Sequence, residues 1–422
     1  MSETEVTTAP RPLLLADGRP AAEAWSLDPA MKHLNHGSFG AVPLAAQEQQ
    51  NLLRAEMERS PVVWFPALPR RVAAARVPLA AFLHVASDDL ALVPNASAGI
   101  SAVYAALPPR RGREIVVTDH GYGAVTMGAE RLARRWGGRV RTARVPLDAD
   151  EEQAYEAIAA ELGPSTGLVV VDHITSATAR RMPVERLGAE ARERGIPLLV
   201  DGAHAPGLID APLDRLTCDF WVGNLHKWAC APRGTAALVA RGPLRERLYP
   251  LIDSWGAADP YPDRFDQQGT VDVTGYLAAP AAIGFVEGTW GWPVVRRYID
   301  DLAGYGERVI GTAFAESAGG SGAGAGGVGD VVDVGMPVPG MRLVRLPPGL
   351  AATRDEADAL RDRTAGELGV EAAYTSFGGT GYLRLSAHVY NTAADYEYFA
   401  EVCVPVLAEW ARGAAGEEHG AP

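Results

Sequence analysis

The chain has 422 residues and a formal net charge of −13 at pH 7. This length exceeds the roughly 250–300 residues that one hydrophobic core usually serves, so we expect one large and one small domain. The acidic balance argues against nucleic acid as a partner. The cysteines Cys218, Cys230 and Cys403 are too few and too scattered for a disulfide framework or a zinc site, and we expect no bound metal.

The start of the chain carries no recognisable targeting signal. Residues 1–12 lack the basic start and the apolar core of a signal peptide. No apolar run reaches the roughly 18 residues that a membrane span needs. We therefore expect a cytoplasmic protein with no membrane partner. Residues 1–30 are polar and rich in Pro and Ala, which predicts a loosely ordered N-terminal arm.

Small residues crowd the segment HLNHGSFGAVP that follows the arm. Small side chains let the backbone approach a ligand closely, so this segment is a candidate binding loop, the alternative being a plain surface turn. Residues 44–85 have the three- and four-residue apolar spacing of helices. The prolines of WFPALPRR predict an interruption within them.

The region 90–240 alternates strand and helix patterns, which predicts a mostly parallel sheet with helices on both faces. In an open sheet of this kind, ligands bind beyond the carboxyl ends of the strands. One strand leads to Asn95, Ala96 and Ser97 at a helix start, where free backbone N–H groups favour an anion, although Asn and Ser are also ordinary helix caps. The next strand leads to His120 and Tyr122.

The most specific stretch runs from Asp201 to Trp228. The apolar segment IPLLV before it predicts a buried strand, which places Asp201 at a strand end. A second short strand, CDFWVG, leads into a turn with His226 and Lys227. Lys227 is one of only two lysines in the chain. Only lysine can form a Schiff base, because a guanidinium stays protonated; the alternative is a lysine exposed in a turn.

The C-terminal half predicts a second domain. Residues 250–275 form a long polar loop, which is usually functional inside a compact domain. A connecting helix is expected over 291–317 and a Gly-rich linker over 318–330. The strand, helix, strand pattern of 331–412 predicts a small α+β domain, and 413–422 a disordered tail.

Together these motifs resemble those of the class V, fold-type I enzymes that use pyridoxal phosphate (PLP), in particular the isopenicillin N epimerase-like branch. DGAHAPG and HKW are the most specific match, and the resemblance extends from LNHGSFGAVP to RLSAHVYNT. It implies an α/β fold, with a large PLP-binding domain over 31–290 built on a mostly parallel, seven-stranded type of sheet flanked by helices. Residues 31–60 would contribute to the side of the small α+β C-terminal domain.

The resemblance also implies catalytic roles. Lys227 would hold PLP as a Schiff base and then move the α-proton as a free amine. Asp201 would pair with the ring nitrogen, and His204 would hydrogen-bond the phenolic oxygen or support Asp201. His120 would stack on the ring, with Tyr122 close by.

Further contacts are implied by the flanking motifs. The other residues expected at the cofactor are Asn95, Ala96, Ser97, Ser176, Asn224, His226, Gly269 and Thr270. The last two belong to a loop that would cross a homodimer interface, so that each active site would need two chains. Arg384 suits a substrate carboxylate; the residues expected at the substrate are Asn35, His36, Gly37, Ser38 and Arg384. Related enzymes have Pro and Gly where this chain has Ala177 and Ala179, and many have Ser in place of Asn224.

The expected activity is epimerisation at the α-carbon of an amino-acid substrate, through Lys227. The alternatives are a C–S lyase or decarboxylating deaminase of an S-linked cysteine conjugate in secondary metabolism, a class V aminotransferase, and a PLP-free binding protein on the same fold. The intact Lys227 and Asp201 disfavour the last. A nicotinamide-linked Rossmann enzyme is excluded, because no G-x-G-x-x-G opens a first strand–helix unit.

Overall fold

The computed structural model describes residues 8–317 and 327–418. The chain divides into two compact units. The larger unit consists of Phe39–Ser176 and Arg180–Gly288. The smaller unit consists of the residues up to Ser38, the short segment Ala177–Ala179, and the residues from Thr289 onward.

The elements are numbered in chain order. The strands are β1 Lys32–His33, β2 Leu90–Val93, β3 Glu114–Thr118, β4 Val140–Ala143, β5 Thr166–Asp172, β6 Leu198–Asp201, β7 Phe220–Asn224, β8 Ala236–Ala240, β9 Met341–Arg345, β10 Val370–Glu371, β11 Ala373–Phe377 and β12 Thr380–Ser386. The α-helices are α1 His36–Phe39, α2 Leu44–Arg59, α3 Pro61–Phe82, α4 Ala96–Ala106, α5 Gly123–Trp136, α6 Glu151–Ala159, α7 Val184–Glu193, α8 Thr274–Thr289, α9 Trp292–Ser317, α10 Arg354–Leu368, α11 Ala393–Tyr398 and α12 Val404–Glu418.

A seven-stranded sheet forms the centre of the larger unit, in the order β2-β8-β7-β6-β5-β3-β4. The five strands from β7 to β4 are parallel, whereas β8 runs antiparallel to both of its neighbours. Every residue of β5, β6 and β7 is buried, as expected of a parallel sheet covered on both faces. Helices α4, α5 and α7 pack on the sheet. The predicted mostly parallel sheet with flanking helices is confirmed.

Strand register brings polar residues to one edge of this sheet. Asp172, the last residue of β5, pairs with Asp201, the last residue of β6. Asp201 pairs in turn with Val222 of β7, which ends at Asn224. Because the carboxyl ends of parallel strands meet at the same edge, Lys227, just beyond β7, lies at this edge too.

The helices before the sheet differ from the expectation. α3 continues without a break through three prolines, Pro66, Pro69 and Pro78. The predicted interruption within WFPALPRR is therefore wrong. The break lies instead between α2 and α3 at Ser60, which has φ −150°. The residue before a proline is disfavoured in helical conformation, and Pro61 follows Ser60.

The turn after β5 contains an alanine in the left-handed conformation. Ala179 has φ +50°. The Thr175 backbone N–H donates a hydrogen bond to the Arg180 carbonyl at 2.9 Å, which closes the turn. Glycine is favoured in this conformation because it has no Cβ to clash with the carbonyl. The turn therefore places the Ala179 backbone under strain.

Replacing Ala179 by Gly should raise the free energy of unfolding by about 0.5–1 kcal/mol, because a left-handed alanine costs roughly 1–2 kcal/mol and the added freedom of Gly in the unfolded chain offsets part of that gain. Chemical denaturation measures the difference. The matched control is Ala177→Gly, at a position without positive φ, which should lower stability. A destabilised Ala179→Gly variant would contradict the strain assigned to this turn.

The smaller unit is an α+β structure, as predicted. β9, β11 and β12 form an antiparallel sheet in the order β11-β12-β9, and β1 pairs with β10 in parallel. α9 packs on β9 and on the helices α11 and α12, while α10 packs on β11.

Residues 8–30 pack within the smaller unit instead of forming the loosely ordered arm that their composition predicts. Trp25 is buried and stacks on Trp290, with ring centroids 6.0 Å apart. The Trp290 indole N–H donates to the Leu14 carbonyl at 2.7 Å. Burial of one large aromatic side chain outweighs the polar character of the surrounding residues.

The end of the chain also departs from the prediction. α12 continues to Glu418, so the disordered tail expected from 413 onward is wrong for 413–418, where Ala and Glu favour a helix. Residues 1–7, 419–422 and the part of the Gly-rich linker over 318–326 lie outside the described residues. No helix within the described part of the chain has the length and apolar character that crossing a membrane requires.

Candidate active site

Lys227 lies in a buried turn directly after β7. The Cys230 N–H donates to the Lys227 carbonyl at 3.0 Å, and the Ala231 N–H donates to the Leu225 carbonyl at 3.0 Å. Lys227 is only 9% exposed, and its neighbour Trp228 is buried. The alternative of a lysine exposed in a turn is therefore excluded.

Two glycines let backbone pack closely on the Lys227 turn. A Cβ on Gly40, which has φ +69°, would lie 2.0 Å from the carbonyl oxygen of His226. A Cβ on Gly207, which has φ +85°, would lie 2.7 Å from the carbonyl carbon of Trp228. No side chain fits at either position. The glycine near the end of HLNHGSFGAVP thus serves the packing of the lysine turn.

His204 connects Lys227 to Trp228. The Nε2 atom of His204 lies 2.9 Å from Lys227 Nζ. The Trp228 indole N–H donates to His204 Nδ1 at 3.2 Å. All three side chains are buried in the larger unit. The histidine that was expected to serve the cofactor's phenolic oxygen is therefore in direct contact with the lysine amine.

Asp201 and Asp172 form a buried carboxyl pair at the ends of adjacent strands. The Ala203 N–H donates to Asp201 Oδ1 at 3.0 Å. Burial raises the pKa of Asp201, and the Ala203 hydrogen bond opposes that rise. Burial raises the pKa of Asp172 well above its ordinary value, and the charge of Asp201 raises it further. Asp201 is therefore the member that ionises first, and Asp172 keeps its proton to higher pH.

Asp172 was missed by the sequence-based assignment. Its signal is present in GLVVVDHIT, where a carboxylate ends a predicted buried strand in the same way as Asp201 ends the next. The register that puts the two carboxyl groups side by side is a property of the paired strands, and neither segment shows it alone.

The predicted anion site at the start of α4 is assembled from two elements. Asn95 caps the helix by accepting from the Ala98 N–H at 2.9 Å. Asn224, at the end of β7, accepts from the Ala96 N–H through Oδ1 at 2.8 Å. Ser97 is exposed beside them. The side-chain NH₂ of Asn224 thus adds a donor to a helix N-terminus that already favours an anion.

His226, for which a phosphate contact was predicted, is held by a hydrogen bond within the larger unit. Its Nδ1–H donates to the Thr235 carbonyl at 3.0 Å. Burial lowers the pKa of His226 to about 4, so the ring is neutral at pH 7 and its Nε2 carries no proton. His226 thus connects the lysine turn to the segment that leads into β8, and its contact to the phosphate stays a prediction.

His120 and Tyr122 present different chemistry at the end of β3. The His120 Nε2–H donates to the Val145 carbonyl at 2.8 Å, and burial lowers the pKa of this histidine. The ring is therefore neutral and its one N–H is engaged. Tyr122 is 45% exposed, and its backbone N–H donates to Asp172. Of the two side chains, only that of Tyr122 presents an accessible proton.

The remaining cofactor candidates lie in loops. Ser176 is half-buried in the turn after β5. Gly269 and Thr270 are exposed in the loop before α8, where Gly269 has φ +83°. Their roles toward the cofactor stay predictions.

In the smaller unit, three of the expected substrate residues form one hydrogen-bonded group. Arg384 on β12 is buried, and its Nη2 donates to Asn35 Oδ1 at 3.0 Å and to Ser38 Oγ at 2.9 Å. The Ser38 hydroxyl donates to Asn35 Oδ1 at 2.6 Å. Asn35 and Ser38, which are both uncharged, thus orient the guanidinium group.

The other two expected substrate residues lie beside this group in sequence. His36 Nδ1 lies 2.9 Å from Tyr390 Oη, and the His36 ring stacks on that of His388 with centroids 3.8 Å apart. Gly37 is buried. The observed contacts of His36 are thus to other side chains of the smaller unit.

Comparison with known proteins identifies the family. A family model described as aminotransferase class-V matches residues 30–313. Isopenicillin N epimerase of Amycolatopsis lactamdurans is 32% identical over 402 residues, which cover 90% of this chain and 96% of that protein. The L-cysteine desulfhydrase-like protein lolT1 of Epichloe uncinata is 27% identical over 432 residues, covering 90% of this chain and 93% of that protein.

A solved structure shares the fold. It is a mutant of C-DES with glycine covalently linked to the PLP cofactor, and it superposes with a TM-score of 0.75 at 19% identity, over 92% of this chain and 99% of that chain. The present chain belongs to the aminotransferase class-V family, and it is an enzyme with the fold-type I architecture whose cofactor is PLP. The resemblance, the fold class and the cofactor predicted from the sequence are confirmed.

The residues of the larger unit fit this cofactor. The buried amine of Lys227 can hold an aldehyde, and the Asp201–Asp172 pair supplies a carboxylate for a protonated ring nitrogen. The start of α4, with Asn95, Ser97 and Asn224, suits a phosphate group.

Proposed function

We propose that this enzyme epimerises an amino acid at its α-carbon. The observation that carries the proposal is the buried amine of Lys227, 2.9 Å from His204 Nε2 and at the same sheet edge as Asp201. Bound PLP withdraws electrons from the α-carbon and so stabilises a carbanion there. Lys227 would remove the α-proton, and Asp201 would keep the ring nitrogen protonated.

Inversion needs a second proton donor on the opposite face of the α-carbon. Tyr122 is the better candidate, because it is 45% exposed, whereas the only N–H of the neutral His120 ring is engaged with Val145. We assign the α-carboxylate of the substrate to Arg384, since a guanidinium held by Asn35 and Ser38 is oriented in advance for it. The 32% identical relative that carries the name isopenicillin N epimerase supports this reaction type.

A C–S lyase is the second candidate. It is supported by the relative that is named as an L-cysteine desulfhydrase-like protein. Lys227 would take the same α-proton, and a sulfur group would then leave from the β-carbon, so that no second proton donor is needed. Decarboxylating deamination and transamination have no observation of this structure in their favour.

Incubation of the holoenzyme with a panel of amino acids in deuterated water separates these reactions. Epimerisation places deuterium at the α-carbon, forms the opposite enantiomer and releases neither keto acid nor thiol. Pyruvate or free thiol from cysteine conjugates would replace the epimerase assignment by that of a lyase. Keto acid formed together with an aminated cofactor would indicate transamination.

We further propose that the enzyme is a homodimer through a face of the larger unit. Large apolar side chains are exposed on α2, on α3 and in the loop before α8; they are Leu52, Val62, Val63, Leu251, Ile252 and Trp255. Arg54 on α2 pairs with Asp272 of that loop at 2.9 Å, so these elements are neighbours. Exposed apolar side chains on neighbouring elements are typical of protein interfaces. The loop also carries Gly269 and Thr270, the predicted contacts to the partner's phosphate.

Trp255→Asp should convert the dimer to a monomer and weaken cofactor retention, because Trp255 is 91% exposed and a carboxylate cannot be buried there without a partner. Sedimentation velocity and absorbance of the bound cofactor measure the two effects. The control is Val331→Asp, an exposed apolar residue of the smaller unit, which should leave both unchanged. A wild-type monomer, or an unaltered Trp255→Asp dimer, would contradict the proposed interface.

A further inference from the structure

The indole of Trp228 restricts the protonation of His204. An indole N–H can only donate, so the Nδ1 atom of His204, 3.2 Å away, must accept and carries no proton. A doubly protonated imidazolium is incompatible with this contact. The neutral ring then has its single proton on Nε2. Trp228 therefore selects one tautomer of His204.

The selected tautomer in turn restricts Lys227. The Nε2–H of His204 is a donor, and Lys227 Nζ lies 2.9 Å from it. An ammonium group has three donors and no acceptor, so it would face the Nε2–H donor to donor. Only the uncharged amine has a lone pair to accept this hydrogen bond. The geometry of the three side chains is thus consistent with an uncharged Lys227.

The other titratable groups around Lys227 divide into two sets. On the same turn, His226 and Cys230 stay neutral, because burial lowers the pKa of His226 to about 4 and raises the pKa of the Cys230 thiol. At the sheet edge, an ionised Asp201 or Asp172 would favour the ammonium form. Burial disfavours charge on both carboxyl groups and on the 9% exposed lysine. The contact from His204 adds to burial, against the attraction of the carboxylates.

We infer that Trp228 is a positioning residue that, through the Nε2–H tautomer of His204, keeps Lys227 in its uncharged, nucleophilic form. The inference rests on the proposed function only for the role of the Lys227 amine, which is to bind the cofactor. The uncharged Lys227 amine would be the group that bonds to an aldehyde carbon, and the aldehyde oxygen would leave as water with two protons from the nitrogen. An ammonium group would first have to lose a proton inside a buried site.

The sequence makes the protonation state directly measurable. Lys32 and Lys227 are the only lysines, so protein grown with ¹³Cε-lysine gives two side-chain signals in NMR spectra of the cofactor-free full-length chain. Lys32, half-exposed and 3.0 Å from Asp395, is the internal reference, and Lys32→Arg assigns the pair. We expect the protonation midpoint of Lys227 to lie at least about one pH unit below that of Lys32. Equal protonation midpoints for the two lysines, or a higher one for Lys227, would overturn the inference from the wild-type protein alone.

Trp228→Phe removes the indole N–H and should raise the Lys227 midpoint by about one pH unit or more, while the Lys32 signal stays in place. Trp221→Phe is the matched control, because Trp221 is an equally buried indole that donates to a different histidine, His173 Nδ1, at 3.4 Å. It should leave both midpoints unchanged. An unchanged Lys227 midpoint in folded Trp228→Phe, or equal shifts in the two variants, would reject the tautomer as the cause. Failure of the holoenzyme to exchange α-hydrogen would reject the proposed function and leave this measurement standing.

Discussion

Lys227→Ala should reduce α-hydrogen exchange by at least about 10³-fold and abolish covalent retention of PLP. The residue supplies both the amine that holds the cofactor and the base that removes the α-proton, and general-base catalysis alone contributes about 10²–10⁴-fold. The measurements are deuterium incorporation by NMR and the absorbance of the protein after gel filtration.

The chain offers a matched control for this substitution. Lys32→Ala removes the only other lysine, which lies in the smaller unit and pairs with Asp395 at 3.0 Å. Loss of this partly exposed ion pair should cost less than about 1 kcal/mol of stability and leave exchange unchanged. Retention of exchange by Lys227→Ala, or its loss in Lys32→Ala, would remove Lys227 from the centre of the mechanism.

Asp201→Asn is expected to lower the turnover number by about 10²-fold or more with the fold intact. The neutral amide keeps the shape of the side chain but can no longer balance the charge of a protonated ring nitrogen, an electrostatic loss comparable to removing a preorganised donor from an active site. Steady-state exchange kinetics measure the loss, and the spectrum of bound PLP reports whether the cofactor is still held.

Asp172→Asn is the neighbouring control, since Asp172 pairs in register with Asp201. Because burial and the charge of Asp201 raise the pKa of Asp172, the neutral amide resembles the protonated form of this side chain, and turnover should stay within about threefold of the wild type. A loss as large as that of Asp201→Asn would show that Asp172 is the carboxylate that serves the ring.

The effect of Asp172→Asn on stability should also depend on pH. The folded-state pKa of Asp172 lies above the ordinary value of 3.8, so the native state binds more protons than the unfolded state above that pH. The contribution of Asp172 to stability is therefore present below pH 3.8 and is lost as pH rises through the folded-state pKa. Asp172→Asn should therefore stabilise the cofactor-free protein more at pH 8 than at pH 5. Thermal unfolding of the variant and the wild type at both pH values measures the difference.

The sequence was sufficient for features that depend on local pattern. Apolar strands alternating with amphipathic helices specified the layered sheet, and the strand end at Asp201 and the turn at Lys227 could be assigned from their own segments. Burial of Lys227 excluded the alternative of a lysine exposed in a turn.

Features that depend on long-range contacts could not be assigned in this way. Asp172 becomes part of the site only through the register between β5 and β6. The tautomer of His204 depends on an indole 24 residues further along the chain, at Trp228. The hydrogen bond of His226 Nδ1–H to the Thr235 carbonyl likewise joins two segments, and the motif around His226 does not show it.

Packing also overrode local propensity at three places. The prolines within α3 do not end that helix, whose inner face is buried in the larger unit. The polar segment before β1 is ordered by the stacking of Trp25 on Trp290. Ala179 occupies a conformation that favours glycine, because the turn around it is closed by Thr175 and Arg180.

The most direct test of the central claim is to reduce the holoenzyme with borohydride and locate the cofactor by peptide mass spectrometry. With two lysines in the chain, the outcome is unambiguous. We expect the pyridoxyl phosphate group on the peptide that contains Lys227. Its presence on Lys32 or on the N-terminal amine, or its absence from every peptide of a protein that still exchanges α-hydrogen, would contradict the assignment of Lys227 as the residue that binds PLP.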